Sequence, residues 1–301
     1  MTAPTNVTTV IAVPSSLDDL TFELVLDQLS AHPPEQKVTV DARHCTFATP
    51  YGLTGLLAIA QTRAEKPVML APEGADCAAY WARTGFFRYA QELYDVQGAV
   101  PHPRSMAEND VLLEVTRVQA GENAHSVMKH IEERAQQIFT RRLNLEPRTT
   151  TGLASAVSAA CENIVEHAGC DGWVMIQAYQ YKRTHSARSV VVIAVCDAGV
   201  GIRRSIESGR RRPANVRWTD AVALETAVVN GVSRHGEPSR GQRLKGFHGY
   251  VYGHDGKLSV RSGTARIAYA PKWDDDVPLR EGLAPFPGVQ IQVTIPGAAT
   301  A

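Results

Sequence analysis

Over the first hundred residues, strand-like and helix-like stretches alternate on a short period, and this restricts the fold more than any other feature of the chain. Val7 to Val13 alternates apolar and polar side chains as a strand does, and Leu17 to Leu29 carries apolar residues at helical spacing up to the Pro33-Pro34 break. Val38 to Asp41 reads as a second strand. A helix starting near Tyr51 and Gly52 puts Leu53, Leu56, Leu57 and Ala60 on one face and ends before Lys66-Pro67. Val68 to Leu70 and Cys77 to Thr84 repeat the strand and helix. Such alternation predicts a small α/β unit.

Pro101-His-Pro103 and the polar residues after it read as a linker, so the boundary is placed near Ser105, giving units of residues 1–104 and 105–301. The length of 301 residues accommodates two compact cores. In the second unit, Leu112 to Val118 reads as a strand, Asn123 to Leu143 as a long amphipathic helix, and Thr149 to Ala168 as a second helix. Trp173 to Tyr181, Ser189 to Asp197, Lys257 to Arg261 and Val289 to Ile295 read as strands. Between Gly199 and Gly256 the chain is rich in Gly, Arg and Ser, with a helix at Thr219 to Val229.

An apolar content of 44% with 21% charged residues predicts a globular protein with neither a long disordered tail nor a membrane span. The formal net charge is zero, which removes any global attraction to nucleic acid. Cys45, Cys77, Cys161, Cys170 and Cys196 lack the spacing of a zinc site or a disulfide framework and read as reduced, packed thiols. The opening MTAPTNVTTV has neither a basic start nor a continuous apolar stretch, so the expected location is the cytoplasm.

The helix Thr149 to Ala168 turns Leu153, Ala156, Val157, Ala160, Cys161, Ile164 and Ala168 toward a core, and presents Asn163, Glu166 and His167 on its other side. It leads into strands that end in Cys196-Asp-Ala-Gly-Val-Gly-Ile202. A carboxylate at a strand end accepts a hydrogen bond from an exocyclic amine, and the glycines that follow let the backbone approach a flat heterocycle. Taken alone, the same residues make an ordinary Asp-Gly turn. Ser233-Arg-His-Gly236 and Arg240-Gly-Gln-Arg-Leu-Lys-Gly246 suit a phosphate cradle ahead of a helix, with Arg240, Arg243 or Lys245 as countercharge; a basic surface loop is the competing reading. The strand Leu258 to Gly263 and the segment Pro287 to Pro296 follow.

This succession, from about Ser105 to the C-terminus, resembles the N, G1, G2 and G3 boxes of the Bergerat family of ATP-binding domains, shared by histidine-kinase ATPase domains, gyrase-type ATPases and anti-sigma-factor kinases. The resemblance implies an α/β sandwich with a mixed sheet and an ATP site under a lid. It implies that Asn163 helps hold magnesium with the phosphates and that Asp197 reads the adenine amine. Gly199 and Gly201 would line the base, Gly241 and Gly246 would belong to the phosphate loop, and His167, Ile202 and Ser233 would complete the site. Where hydrolysing members carry a Glu base this chain has Ala159, which cannot take a proton; Glu166 and Glu162 are the substitutes at hand. Where the last box reads Gly-Thr, this chain has Gly288-Val289.

The N-terminal stretch from Val40 to Leu57, Val-Asp-Ala-Arg-His-Cys-Thr-Phe-Ala-Thr-Pro-Tyr-Gly-Leu-Thr-Gly-Leu-Leu, is similar to a STAS domain, the fold of anti-sigma-factor antagonists. The family's phosphoserine position is Tyr51 here; Thr49 and Thr54 are the nearby hydroxyls and read as surface or capping residues. Together the resemblances imply a regulatory protein that binds ATP and magnesium and whose nucleotide state controls contacts with a protein partner. Two alternatives stay open. One is a serine/threonine kinase or slow ATPase using Glu166 or Glu162. The other is a nucleotide-free module that binds protein, or nucleic acid through Arg203-Arg204 and Arg210 to Arg212. The helix Asn123 to Leu143 serves either homodimerisation or the domain's own core.

Overall fold

A computed structural model describes residues 9–102, 111–119, 123–180, 189–209, 217–230 and 243–298. The boundary placed near Ser105, together with Ser233, Gly241 and Arg210 to Arg212, lies outside the described residues. The α/β class is observed. Strands β1 (Thr9–Ala12), β3 (Val38–Asp41), β5 (Val68–Leu70) and β6 (Asp95–Gln97) pair in parallel in the order β1-β3-β5-β6, and β2 (Ser16–Leu17) pairs with β4 (Phe47–Ala48). The helices of this unit are α1 (Phe22–Ser30), α2 (Pro50–Gln61), α3 (Ala75–Arg83) and α4 (Phe86–Leu93).

The second sheet has seven strands: β7 (Leu112–Val118), β8 (Gly172–Gln180), β9 (Ser189–Asp197), β10 (Lys257–Gly263), β11 (Ala265–Tyr269), β12 (Leu279–Arg280) and β13 (Phe286–Pro296). Their order is β12-β11-β10-β13-β9-β8-β7. The resemblance implied a mixed sheet, but every pairing here is antiparallel. The reason is the place of β13. It runs antiparallel to both β9 and β10, which share a direction, and so it separates the two strands that would otherwise pair in parallel.

One face of this sheet is covered by α5 (Ala124–Arg142), α6 (Pro147–Asn163), α8 (Asp220–Val228) and α9 (Arg243–Gly253) over a core that includes Ile176, Ile193, Val260 and Val293. The apolar stripe of α5, with Met128, Ile131, Ala135, Ile138 and Phe139, is spent on this core. The other face receives the N-terminal unit. Trp173, Met175, Ala194 and Cys196 join one continuous core with Leu53, Leu56 and Leu57 of α2. Every residue of α2 from Pro50 to Ala60 is buried, because a helix apolar on all sides must be covered on all sides. Gly55 permits the approach: a Cβ there would lie 2.5 Å from Phe22 Cζ and 2.6 Å from Gln290 Nε2.

Thr49 caps α2 by accepting from the Gly52 N–H at 3.4 Å, as its reading as a cap predicts. Thr54 is a correction: it is wholly buried and donates to the Pro50 carbonyl at 2.9 Å. Tyr51 is buried as well. All five cysteines are free thiols; only Cys170 is partly exposed. Among the described residues, no helix is long and apolar enough to cross a membrane.

Candidate functional site

Asp197 closes β9 and is almost completely buried. Its Oδ1 accepts from the Gly199 N–H at 2.9 Å, and Val289 N–H also donates to its carboxylate. Burial pushes its pKa up to about 6, and these two backbone donors oppose the rise without cancelling it. Gly288 makes the contact possible. A Cβ there would stand 2.1 Å from the Asp197 carbonyl oxygen and 2.5 Å from Oδ1, so no other residue fits without displacing the acid. Val289 thus meets the Asp197 carboxylate through its main-chain N–H alone.

The helix carrying Asn163 ends against this loop. A Cβ on Gly199 would lie 2.1 Å from the Ala168 carbonyl oxygen, which accepts from the Val200 N–H at 3.1 Å. The expected single helix Thr149 to Ala168 is an α-helix only to Asn163, followed by a π-helical turn from Ile164 to Ala168 and then Gly169 in the left-handed region. A π turn takes more residues per revolution, so His167 does not stack over Asn163 as it would one α turn on. Asn163, Glu162, Glu166 and His167 are all half-buried, and His167 Nε2 lies 3.6 Å from Glu166 Oε2. Ala159, one turn before Asn163, is half-buried.

Gly201 has φ of 72° and opens α7 (Gly201–Ser208), a helix the Gly- and Arg-rich composition hid. Arg203 and Arg204 thus stand exposed in the first turn of a helix, and Arg203 pairs with Glu207 at 3.3 Å. The Ile202 N–H donates to Ser262 Oγ at 3.0 Å, and Ser262 Oγ donates to the Gly288 carbonyl at 2.8 Å. Gly246 lies in the first turn of α9 instead of in the loop ahead of it.

On its other side the glycine loop lines a cleft of about 720 Å³ together with Arg203, Arg204, Asp220, Ser262, Phe286 and, from the end of α2, Gln61 and Thr62. Asp197, Asn163 and His167 do not line it. Ser262 and Asp220 are site residues that the reading of the sequence passed over. Asp220 Oδ2 accepts from both the N–H and the hydroxyl of Thr264 at 2.9 Å, and its only sequence signal is its place after the cap Thr219. Among the described residues no three His, Cys, Asp or Glu side chains converge as a metal cluster would. No family model, no curated protein and no solved structure matches the chain.

Proposed function

We propose that this chain is a regulatory protein that binds ATP with magnesium and whose nucleotide state controls protein contacts, with a STAS-like unit serving as the nucleotide domain's resident partner. The observation that carries the proposal is the Asp197 corner. A carboxylate held by two main-chain donors is buried between Gly199 and Gly288, and the end of the Asn163 helix is bonded directly onto the same loop. Burying an acid at this cost makes chemical sense if it reads a donor on a ligand, as an exocyclic amine would be read. A magnesium ion keeps several waters and takes few protein ligands, so Asn163 and the nucleotide's own phosphates would be a sufficient set. The ion would supply countercharge to those phosphates.

Binding is proposed, and hydrolysis is not: Ala159 offers no base, and of the hydroxyls at and beside the position that resembles the STAS phosphoacceptor, Tyr51 and Thr54 are buried and the half-buried Thr49 is engaged as the cap of α2. The contact between the two units is where an effect of nucleotide would be felt, because a ligand shifts a contact only by binding its two states unequally. Calorimetric titration with ATP and magnesium tests the reading. Binding by the wild type that is lost in Asp197→Asn and weakened in Asn163→Ala supports it; absence of heat and of thermal stabilisation at millimolar ATP sinks it.

A further inference from the structure

Adjacent residues of a strand point to opposite faces of a sheet, and on β10 those two faces belong to different halves of the molecule. Arg261 points to the N-terminal unit. Its Nε donates to Glu23 Oε1 at 2.9 Å and its Nη2 to Glu23 Oε2 at 3.2 Å, inside a protein interior where the guanidinium has no exposure to water. The same guanidinium donates to the carbonyl oxygens of Gly263 and Ala284. Ser262, the next residue, faces the glycine loop and bridges the Gly288 carbonyl to the Ile202 N–H. The segment from Ala284 to Val289 is therefore pinned by Arg261 at one end and by Ser262 at the other. Between them Phe286 is packed in the core shared with α2.

We infer that Glu23 is a positioning residue for the Asp197 site, acting through Arg261 and the Ala284–Val289 segment to set Gly288 and Val289 against the acid. The inference rests on the nucleotide reading above and specifies how the N-terminal unit regulates that site. The physical reason is the cost of an unpaired buried cation. With Glu23 neutral, the Arg261 guanidinium must draw more heavily on the Gly263 and Ala284 carbonyls or move toward water. Either movement shifts a segment that has less than a methyl group of clearance from Asp197. Coupling of this kind is reciprocal, so nucleotide at Asp197 tightens the hold on α1 by the factor with which Glu23 tightens nucleotide.

The test is calorimetric affinity for ATP with magnesium in the full chain, for wild type, Glu23→Gln, Ser262→Ala, the double variant and Asp19→Asn. Asp19 belongs to the same interface, with its carboxylate 3.0 Å from Lys257 Nζ and 2.6 Å from Arg266 Nη2, but it does not bond to the Ala284–Val289 segment. Glu23→Gln is expected to weaken binding about tenfold, the double variant to fall short of the product of the single effects, and Asp19→Asn to bind as the wild type does while unfolding more easily. Saturating ATP should slow amide exchange in α1 of the wild type but not of Ser262→Ala. Equal affinity for wild type and Glu23→Gln, or fully multiplicative single effects, overturns the inference and leaves the nucleotide reading intact. No binding by the wild type overturns both. Should Glu23→Gln fail to fold, unchanged affinity in Ser262→Ala overturns the inference by itself.

Discussion

Replacing Asp197 with Asn is expected to make the protein more stable while abolishing the proposed binding of ATP. In the unfolded chain this carboxyl titrates at an ordinary 3.8, whereas in the folded protein burial raises it to about 6. The folded state thus holds the proton more tightly. Its contribution to stability is full below pH 3.8 and is lost as the pH rises through 6. The difference corresponds to a penalty of about 3 kcal/mol at pH 8 and roughly half of that at pH 5. Asn keeps the shape and one acceptor for the Gly199 N–H but does not titrate, and the weakened bond to Val289 gives back about 1 kcal/mol. The net gain is therefore about 2 kcal/mol at pH 8, shrinking to well under 1 kcal/mol at pH 5. Urea unfolding of the two proteins at the two pH values measures it. A difference independent of pH, or a variant less stable than wild type at pH 8, would refute the assignment of Asp197 as a buried charge kept at a cost.

Three further outcomes are expected. ATP affinity of the wild type should fall about tenfold from pH 8 to pH 5 as Asp197 takes up its proton, and a flat calorimetric profile would detach the acid from binding. Gly288→Ala should cost about 3 kcal/mol and abolish nucleotide binding, because the added methyl collides with the Asp197 main chain; chemical denaturation and titration read the two effects separately. Burial disfavours the charge on Lys257, but the carboxylates of Asp19, Asp274 and Asp276 outweigh it and raise its pKa. Lys257→Met leaves those acids in the interior without their ammonium, and a loss of about 3–5 kcal/mol in urea unfolding is expected.

Much of the local structure was legible because it depends on neighbours in the chain. The apolar run of β9 reads as a buried strand to its last residue, and the α6 stripe reads as a helix facing a core. The acid at the end of β9 and the glycines after it could be singled out as a corner suited to a ligand. The Ile164–Ala168 π turn could not, since nothing in that sequence distinguishes one extra residue per turn from an ordinary helix end. Nor could α7, whose Ile-Arg-Arg-Ser-Ile-Glu-Ser composition reads as loop until Ile206 finds Trp218 and Ala223 to pack on.

By itself the sequence determined the α/β class, most strand and helix positions, and the placing of an acid and two glycines at one strand end. The tertiary structure alone decided what covers what. Lys257, Ser259 and Arg261 on β10, and Gln290, Gln292 and Thr294 on β13, alternate with apolar residues as though that face of the sheet met water. It meets the N-terminal unit instead, and all six are buried. Periodicity reports which side chains share a face. Whether that face is wetted depends on a partner more than two hundred residues away in the case of Glu23 and Arg261, and only folding brings the two together.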